Sequence, residues 1–152
     1  MMKLRYLLCI TLMSISGEAL AYHCEISSTP LTFGSIEGVA GKERQTTATL
    51  TVVCRNGDTS ANVEYKIIID SQNINSEHEM TSGSHSNFFN TYKTASYQEI
   101  WGNSAPNIVS DSYSIAANDT VSRTYTVYAK MKTGRDAPPG IYIANMIARL
   151  LY

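Results

Sequence analysis

Ile141-Tyr142-Ile143-Ala144-Asn145-Met146-Ile147-Ala148-Arg149-Leu150-Leu151-Tyr152 forms the last stretch of the sequence. Its even positions, Tyr142, Ala144, Met146, Ala148, Leu150 and Tyr152, are all apolar or aromatic. The odd positions, Ile141, Ile143, Asn145, Ile147, Arg149 and Leu151, are largely apolar too. Branched and aromatic residues in this density select an extended strand. The preceding Pro138-Pro139-Gly140 marks it off as a new element. A strand apolar on both faces expects cover on both. Either it pairs in the middle of a sheet already built, or something outside the chain covers it.

Working back from that strand, the chain shows short β-rich runs separated by turn signals and no helix-period stretch. Residues 46–54 alternate, with Ala48, Leu50, Val52 and Cys54 facing one way. Asn56-Gly57-Asp58 is a turn, and Val63, Tyr65, Ile67 and Ile69 define the next strand. Residues 71–87 are polar and read as a loop, with an irregular strand within it as the alternative, while 88–92 and 97–101 read as short aromatic strands. A loop over 104–112 leads to a strand beginning at Tyr113, a turn at Asn118-Asp119, and a long strand over 121–131. Residues 31–33 make a further short run before Gly34. Strands at this spacing without helices predict an all-β, immunoglobulin-like sandwich. About six principal strands can be counted where that sandwich needs seven.

Residues 1–21 have the form of a secretory signal peptide. Lys3 and Arg5 precede an apolar run over 6–15, and Ala19-Leu20-Ala21 is a small-residue cleavage site. The run is too short for a membrane-spanning helix. Cys9 leaves with the leader, so the expected domain, 22–152, keeps Cys24 and Cys54. In an exported protein such a pair reads as a disulfide. Its closed loop of about 30 residues contributes roughly 3–4 kcal/mol. The spacing is too wide for a redox pair of the Cys-x-x-Cys type.

A formal net charge of −1 with no basic run argues against nucleic acid as a partner. Charged residues make up only 16%, and 17 Ser and 15 Thr fill their place, as suits half-buried strands. Glu77-His78-Glu79 with His85 can be drawn as a metal site, but no ligand spacing supports it and the segment reads as a solvated loop. Ser82-Gly83-Ser84-His85 lacks the nucleophile-elbow pattern, and no phosphate-binding glycine loop is present. No catalytic, cofactor-binding or metal residue is therefore assigned, and no cofactor is expected.

Three groups of residues, taken in order, resemble the spore coat protein U domain family, which includes subunits of archaic chaperone–usher pili. The first is Cys24, then Leu31-Thr32-Phe33-Gly34, then Cys54. The second is Phe89-Asn90-Thr91-Tyr92 with Ile100-Trp101-Gly102. The third is Val127-Tyr128-Ala129-Lys130-Met131, Gly134, Pro139-Gly140-Ile141-Tyr142 and Tyr152. Phe33, Phe89, Tyr92, Trp101 and Tyr128 are its aromatic positions here. Ala144 and Thr94 stand where the family favours acidic residues.

The resemblance implies an incomplete sandwich lacking its last strand, with an apolar groove beside the C-terminal strand. Tyr142, Ala144, Met146, Ala148, Leu150 and Tyr152 would line that groove or the core beneath it. A periplasmic chaperone fills such a groove first; at the outer-membrane usher, an adjacent subunit's N-terminal extension replaces it. Only Tyr22 and His23 precede Cys24 in the expected mature chain. That implies a subunit that accepts a strand without donating one, hence a tip or minor subunit, carried through the periplasm to the cell surface. An adhesive role towards a host or abiotic surface would use exposed aromatics, with Tyr97, Trp101 and Tyr113 as candidates. The competing reading places all three in the core, Trp101 above all. Two further classes stay open: a self-complete secreted coat or matrix protein of the same fold, and a soluble periplasmic binding or enzyme module.

Overall fold

The computed structural model describes residues 22–70, 77–135 and 137–152. The leader expected over 1–21 lies outside these residues, as does the 71–76 part of the expected polar loop. The strands are β1 (Tyr22–Ser28), β2 (Ser35–Ile36), β3 (Glu43–Asn56), β4 (Ala61–Asp70) and β5 (His78–Ser82). They continue as β6 (His85–Tyr92), β7 (Val109–Ile115), β8 (Thr120–Lys132), β9 (Gly140–Ile141) and β10 (Ile147–Leu151). No described residue is helical.

Two antiparallel sheets face each other. The larger has the order β1-β3-β8-β6-β5, the smaller β10-β4-β7, and β2 pairs with β9 as a separate two-stranded clip. The layers follow from the alternation. Ala48, Leu50, Val52 and Cys54 of β3 are buried against Val63, Tyr65, Ile67 and Ile69 of β4. Each valine, leucine or isoleucine among them taken fully from water contributes about 1.5–3 kcal/mol. A second cluster joins Ile36, Met80, Phe89, Ala129 and Met131, and Leu31 and Met146 pack against both. Cys24 sits opposite Cys54 in the β1–β3 ladder, and the two form the disulfide. The architecture is thus an all-β, immunoglobulin-like sandwich.

The family aromatics divide between core and surface. Phe89, Tyr92 and Trp101 are buried. Phe33 is half-buried and meets Phe89 edge-on, with ring centroids 5.3 Å apart. Tyr128 is half-buried on the outer face of the larger sheet, where Tyr97 packs edge-on against both Tyr92 and Tyr128. Trp101 is no surface contact: its Nε1 donates to the Ile67 carbonyl at 3.0 Å between the sheets. Burial with its one donor satisfied is the stable arrangement for an indole.

Several expected boundaries are corrected. The final strand is interrupted, giving β9 and β10 with residues 142–146 outside both. Of the two placements open for the final strand, the one observed is the edge of a sheet, where β10 lies. Residues 97–101 form no strand, since Tyr97 takes φ 55° at a turn closed by its N–H to the Thr94 carbonyl. β7 begins at Val109, inside the expected loop, and residues 31–33 lie outside any strand. The polar segment before Phe88 is a β5–β6 hairpin, with His78 and Met80 turned into the core. His78 and His85 do not come together: His78 is buried and His85 is exposed beside the hairpin turn.

His78 shows how a polar residue joins a core. Its ring stacks on Phe89 at 5.0 Å, and Nε2 lies 3.1 Å from the Thr91 hydroxyl. That hydroxyl donates to the Trp101 carbonyl at 2.7 Å, so Nε2 is the donor to Thr91. Burial lowers the imidazole pKa from 6.5 to about 4. The unfolded state therefore binds more protons between those values, and stability falls as pH drops through the window. Denaturant midpoints are expected to be flat above pH 7 and to fall from pH 6.5 to 4, by up to about 3 kcal/mol. His78→Phe should remove this part of the slope; an unchanged slope would assign the acid loss to the carboxylates.

Candidate functional site: the cleft between β1 and β10

The last segment is anchored on one side and at both ends. At its start, Gly38 (φ +69°) lies so close to Pro139 that a Cβ there would meet its Cδ at 2.7 Å. This contact seats the β2–β9 clip, in which Ser35 faces Ile141. Lys42 and Arg44 pair with Glu37 beside the clip and hold its carboxyl below the usual range, Lys42 through the stronger contact. Ile143 then exchanges two backbone hydrogen bonds of 2.9 Å with Thr81 of β5. Tyr142 donates to the Pro138 carbonyl at 2.9 Å. From Ile147 onward the chain pairs with β4, and Arg149 donates to Asp70 at 2.7 Å. At the far end the Tyr152 ring lies 5.9 Å from that of Tyr22, and its hydroxyl is 3.3 Å from His23 Nδ1.

Between these anchors β10 is paired on one side only. Among the described residues no strand occupies its other edge, and β1 likewise pairs with β3 alone. Tyr22 lies near Tyr152, while Ser28 lines the same hollow as Met146 and Ala148, so β1 and β10 run antiparallel across a cleft. The cleft holds two adjoining hollows. One, of about 230 Å³, is floored by Ala48, Leu50 and Val127 and walled by Leu31, Ala144 and Ala148. The other, of about 260 Å³, lies between Ile26 and Ser28 on one wall and Met146 and Ala148 on the other. Ser28 and Thr29 supply hydroxyls at the rim.

The C-terminal residues take distinct places here. Tyr142, Ala144, Met146, Ala148 and Leu150 are half-buried and turn inward. Ala144, Met146 and Ala148 line the cleft directly, whereas Tyr142 packs with the second core cluster. Leu150 packs against the main core, and Tyr152 is exposed at the closed end. The odd row faces outward, with Ile141, Ile143, Ile147 and Leu151 between 46% and 69% exposed. The sequence reading named this wall but missed the other: Tyr22, Ile26 and Leu31, with Ala48, Leu50 and Val127 beneath. The alternation of Tyr22, Cys24 and Ile26 was the available signal.

A group of hydrogen-bonded phenols sits at the closed end. Tyr65 lines the hollow there with Tyr22 and Tyr152. Its hydroxyl is 2.6 Å from that of Tyr125, which donates to Asp111 at 2.5 Å. Burial raises the Tyr65 pKa to about 12 and drives Tyr125 upward as well. Both phenols stay neutral and tie the two sheets together. Tyr113, another aromatic candidate for surface contact, is half-buried against Tyr65 and beneath the Arg123 guanidinium.

Two sheets that meet along one side at an apolar cleft, each with an unpaired edge there, define a class of domain: an immunoglobulin-like sandwich with an open seam. The chain belongs to the spore coat protein U domain family, whose model matches residues 10–148. Proteins of this family are exported structural subunits of coats and of chaperone–usher pili, not enzymes. A search of curated proteins finds no match to the chain.

Gly38→Ala tests the anchor at the start of the segment. The substitution places a side chain at positive φ and drives Cβ into Pro139, at a cost of about 2 kcal/mol or more. Hydrogen exchange at Ile141 and Ile143 should accelerate while β4–β7 stays protected. Equal loss of protection throughout the domain would mean that the clip is not a local anchor.

Proposed function

We propose that the cleft between β1 and β10 accepts an extended strand from a partner chain. Through it this protein, as residues 22–152 after loss of its leader, is assembled as a subunit of a chaperone–usher pilus. One observation carries this reading: two unpaired strand edges border the same apolar cleft. An inserted strand would satisfy their free N–H and C=O groups, and its alternate side chains would enter the hollows. Main-chain pairing supplies affinity and the hollows supply register.

In the periplasm the occupant is the assembly chaperone; at the outer-membrane usher it is the donor segment of the adjacent subunit. Cleavage after Ala21 would leave Tyr22 and His23 before Cys24, and both already lie within β1. Within residues 22–152 these two already pair with β3, which supports the reading of a tip or minor subunit. In an adhesive role, the half-buried Tyr97 and Tyr113 are the aromatic candidates left once Trp101 is placed in the core. The Tyr22–Tyr152 contact and the β2–β9 clip support a second reading. They close the sandwich at both ends, as a self-complete coat protein would require.

Expression of the full chain with its leader, with and without a candidate chaperone, decides between these readings. Aggregation or proteolysis alone, with rescue as a one-to-one complex, is the expected result. A soluble monomer that melts cooperatively without help would overturn the pilus reading. Two substitutions place the partner. Ala148→Asp puts a charge into the cleft and should abolish the complex, at least a hundredfold in affinity, roughly 3 kcal/mol. Arg149→Gln, on the outward face of the same strand and lining neither hollow, should leave it within about threefold.

A further inference from the structure

Met146 stands apart from the other inward residues of the last segment. Its neighbours in that row, Ala144 and Ala148, are small, so it is the one long side chain that the last segment puts into both hollows, facing Leu50 of β3 on the floor. It lines both hollows and packs against both core clusters. From one hollow to the other the β1-side lining shifts from residues 28–31 to residues 26–28. That is about one alternation step of an extended strand, at roughly 3.3 Å per residue. Two inward side chains of a strand, at positions i and i+2, therefore match the two hollows, with Met146 between them.

The residue type suits a movable divider. An unbranched thioether with three rotatable bonds can repack without backbone movement, which a β-branched residue cannot do. Met146 is also distinct among the methionines of the described residues: Met80 and Met131 are buried and Met146 is half-buried.

We infer that Met146 is the placeholder of the cleft: it fills the centre while the cleft is empty, and an entering strand must turn it aside. The inference rests on the strand-acceptor reading above and adds a residue that governs the rate of entry. Removal of the side chain merges the two hollows and takes away the step of displacing it. Shortening and stiffening it with a branched residue of similar volume keeps the plug and hinders its turning.

The test uses the full exported chain, purified as its one-to-one chaperone complex, with a fluorescent synthetic peptide of alternating Ile and Thr capped with Lys. The chain is unfolded and refolded at high dilution so that the empty cleft is sampled before aggregation. Met146→Ala should take up the peptide about fivefold faster than the natural chain, equivalent to about 1 kcal/mol of barrier. Met146→Leu, which keeps the core filled, should take it up several-fold more slowly at similar final occupancy. Dilute hydrogen peroxide gives a second readout. It transfers one oxygen atom to the thioether sulfur, which loses two electrons as the peroxide is reduced to water. Met146 should be oxidised in the empty chain and protected in the bound one, with Met80 and Met131 reduced in both. Binding with identical rates in all three chains would overturn the placeholder role and leave the acceptor cleft standing. Failure of the natural chain to bind at all would overturn the acceptor reading and the placeholder with it.

Discussion

A β-strand carries hydrogen-bonding groups along two edges, and the environment must answer both. In this protein β10 is answered on one side by β4, and β1 on one side by β3. The remaining edges lie on the same side of the sandwich and border one cleft. Exposed edges are a hazard that proteins usually blunt with charge, proline or a covering element. Arg149 is the only charged residue of β10, and it is engaged by Asp70 of the neighbouring strand. The edges are left available, and the apolar floor between them gives an entering strand something to bury.

The remaining structure keeps those edges in place without closing the gap. The β3 and β4 alternations bring the two sheets together, and Trp101 bridges them with a hydrogen bond to the β4 backbone. The Tyr65–Tyr125–Asp111 group does the same at one end. On the smaller sheet, β10 is fixed through its ladder to β4, and its approach is fixed by Gly38, Ile141 and Ile143. Small residues at Ala48, Ala144 and Ala148 then leave space where a larger core would have filled it.

Much of this was legible in the sequence because period-two alternation reports directly which face is covered. That held for Ala48 to Cys54, for Val63 to Ile69, and for the inward and outward rows of the last segment. Position within a sheet was not legible. Whether β10 lay in the middle or at an edge depends on pairing with β4, about 80 residues earlier, and hydropathy does not encode pairing. β5 is legible only as an irregular strand within a loop because its inner face begins with His78, a polar residue made compatible with the core by Thr91 and Phe89. Residues 97–101 were read as a strand because aromatic content cannot reveal that Tyr97 takes a positive φ. The β1 wall was overlooked because a short strand adjoining a leader offers few alternating positions. The two hollows arise from residues about a hundred positions apart, and only the folded chain brings them together.

The disulfide between Cys24 and Cys54 also determines how the domain bears force. β1 is an edge strand with one ladder, and tension applied at a single end could peel such a strand from its sheet bond by bond. The covalent link near its start joins β1 to β3, which is zipped to β8 through thirteen register pairs. A pull on the start of β1 is therefore passed into the longest ladder of the molecule, where the bonds are loaded together in shear. One wall of the cleft is thus tethered to the longest ladder of the sandwich, and the seam can be strained without its wall coming away.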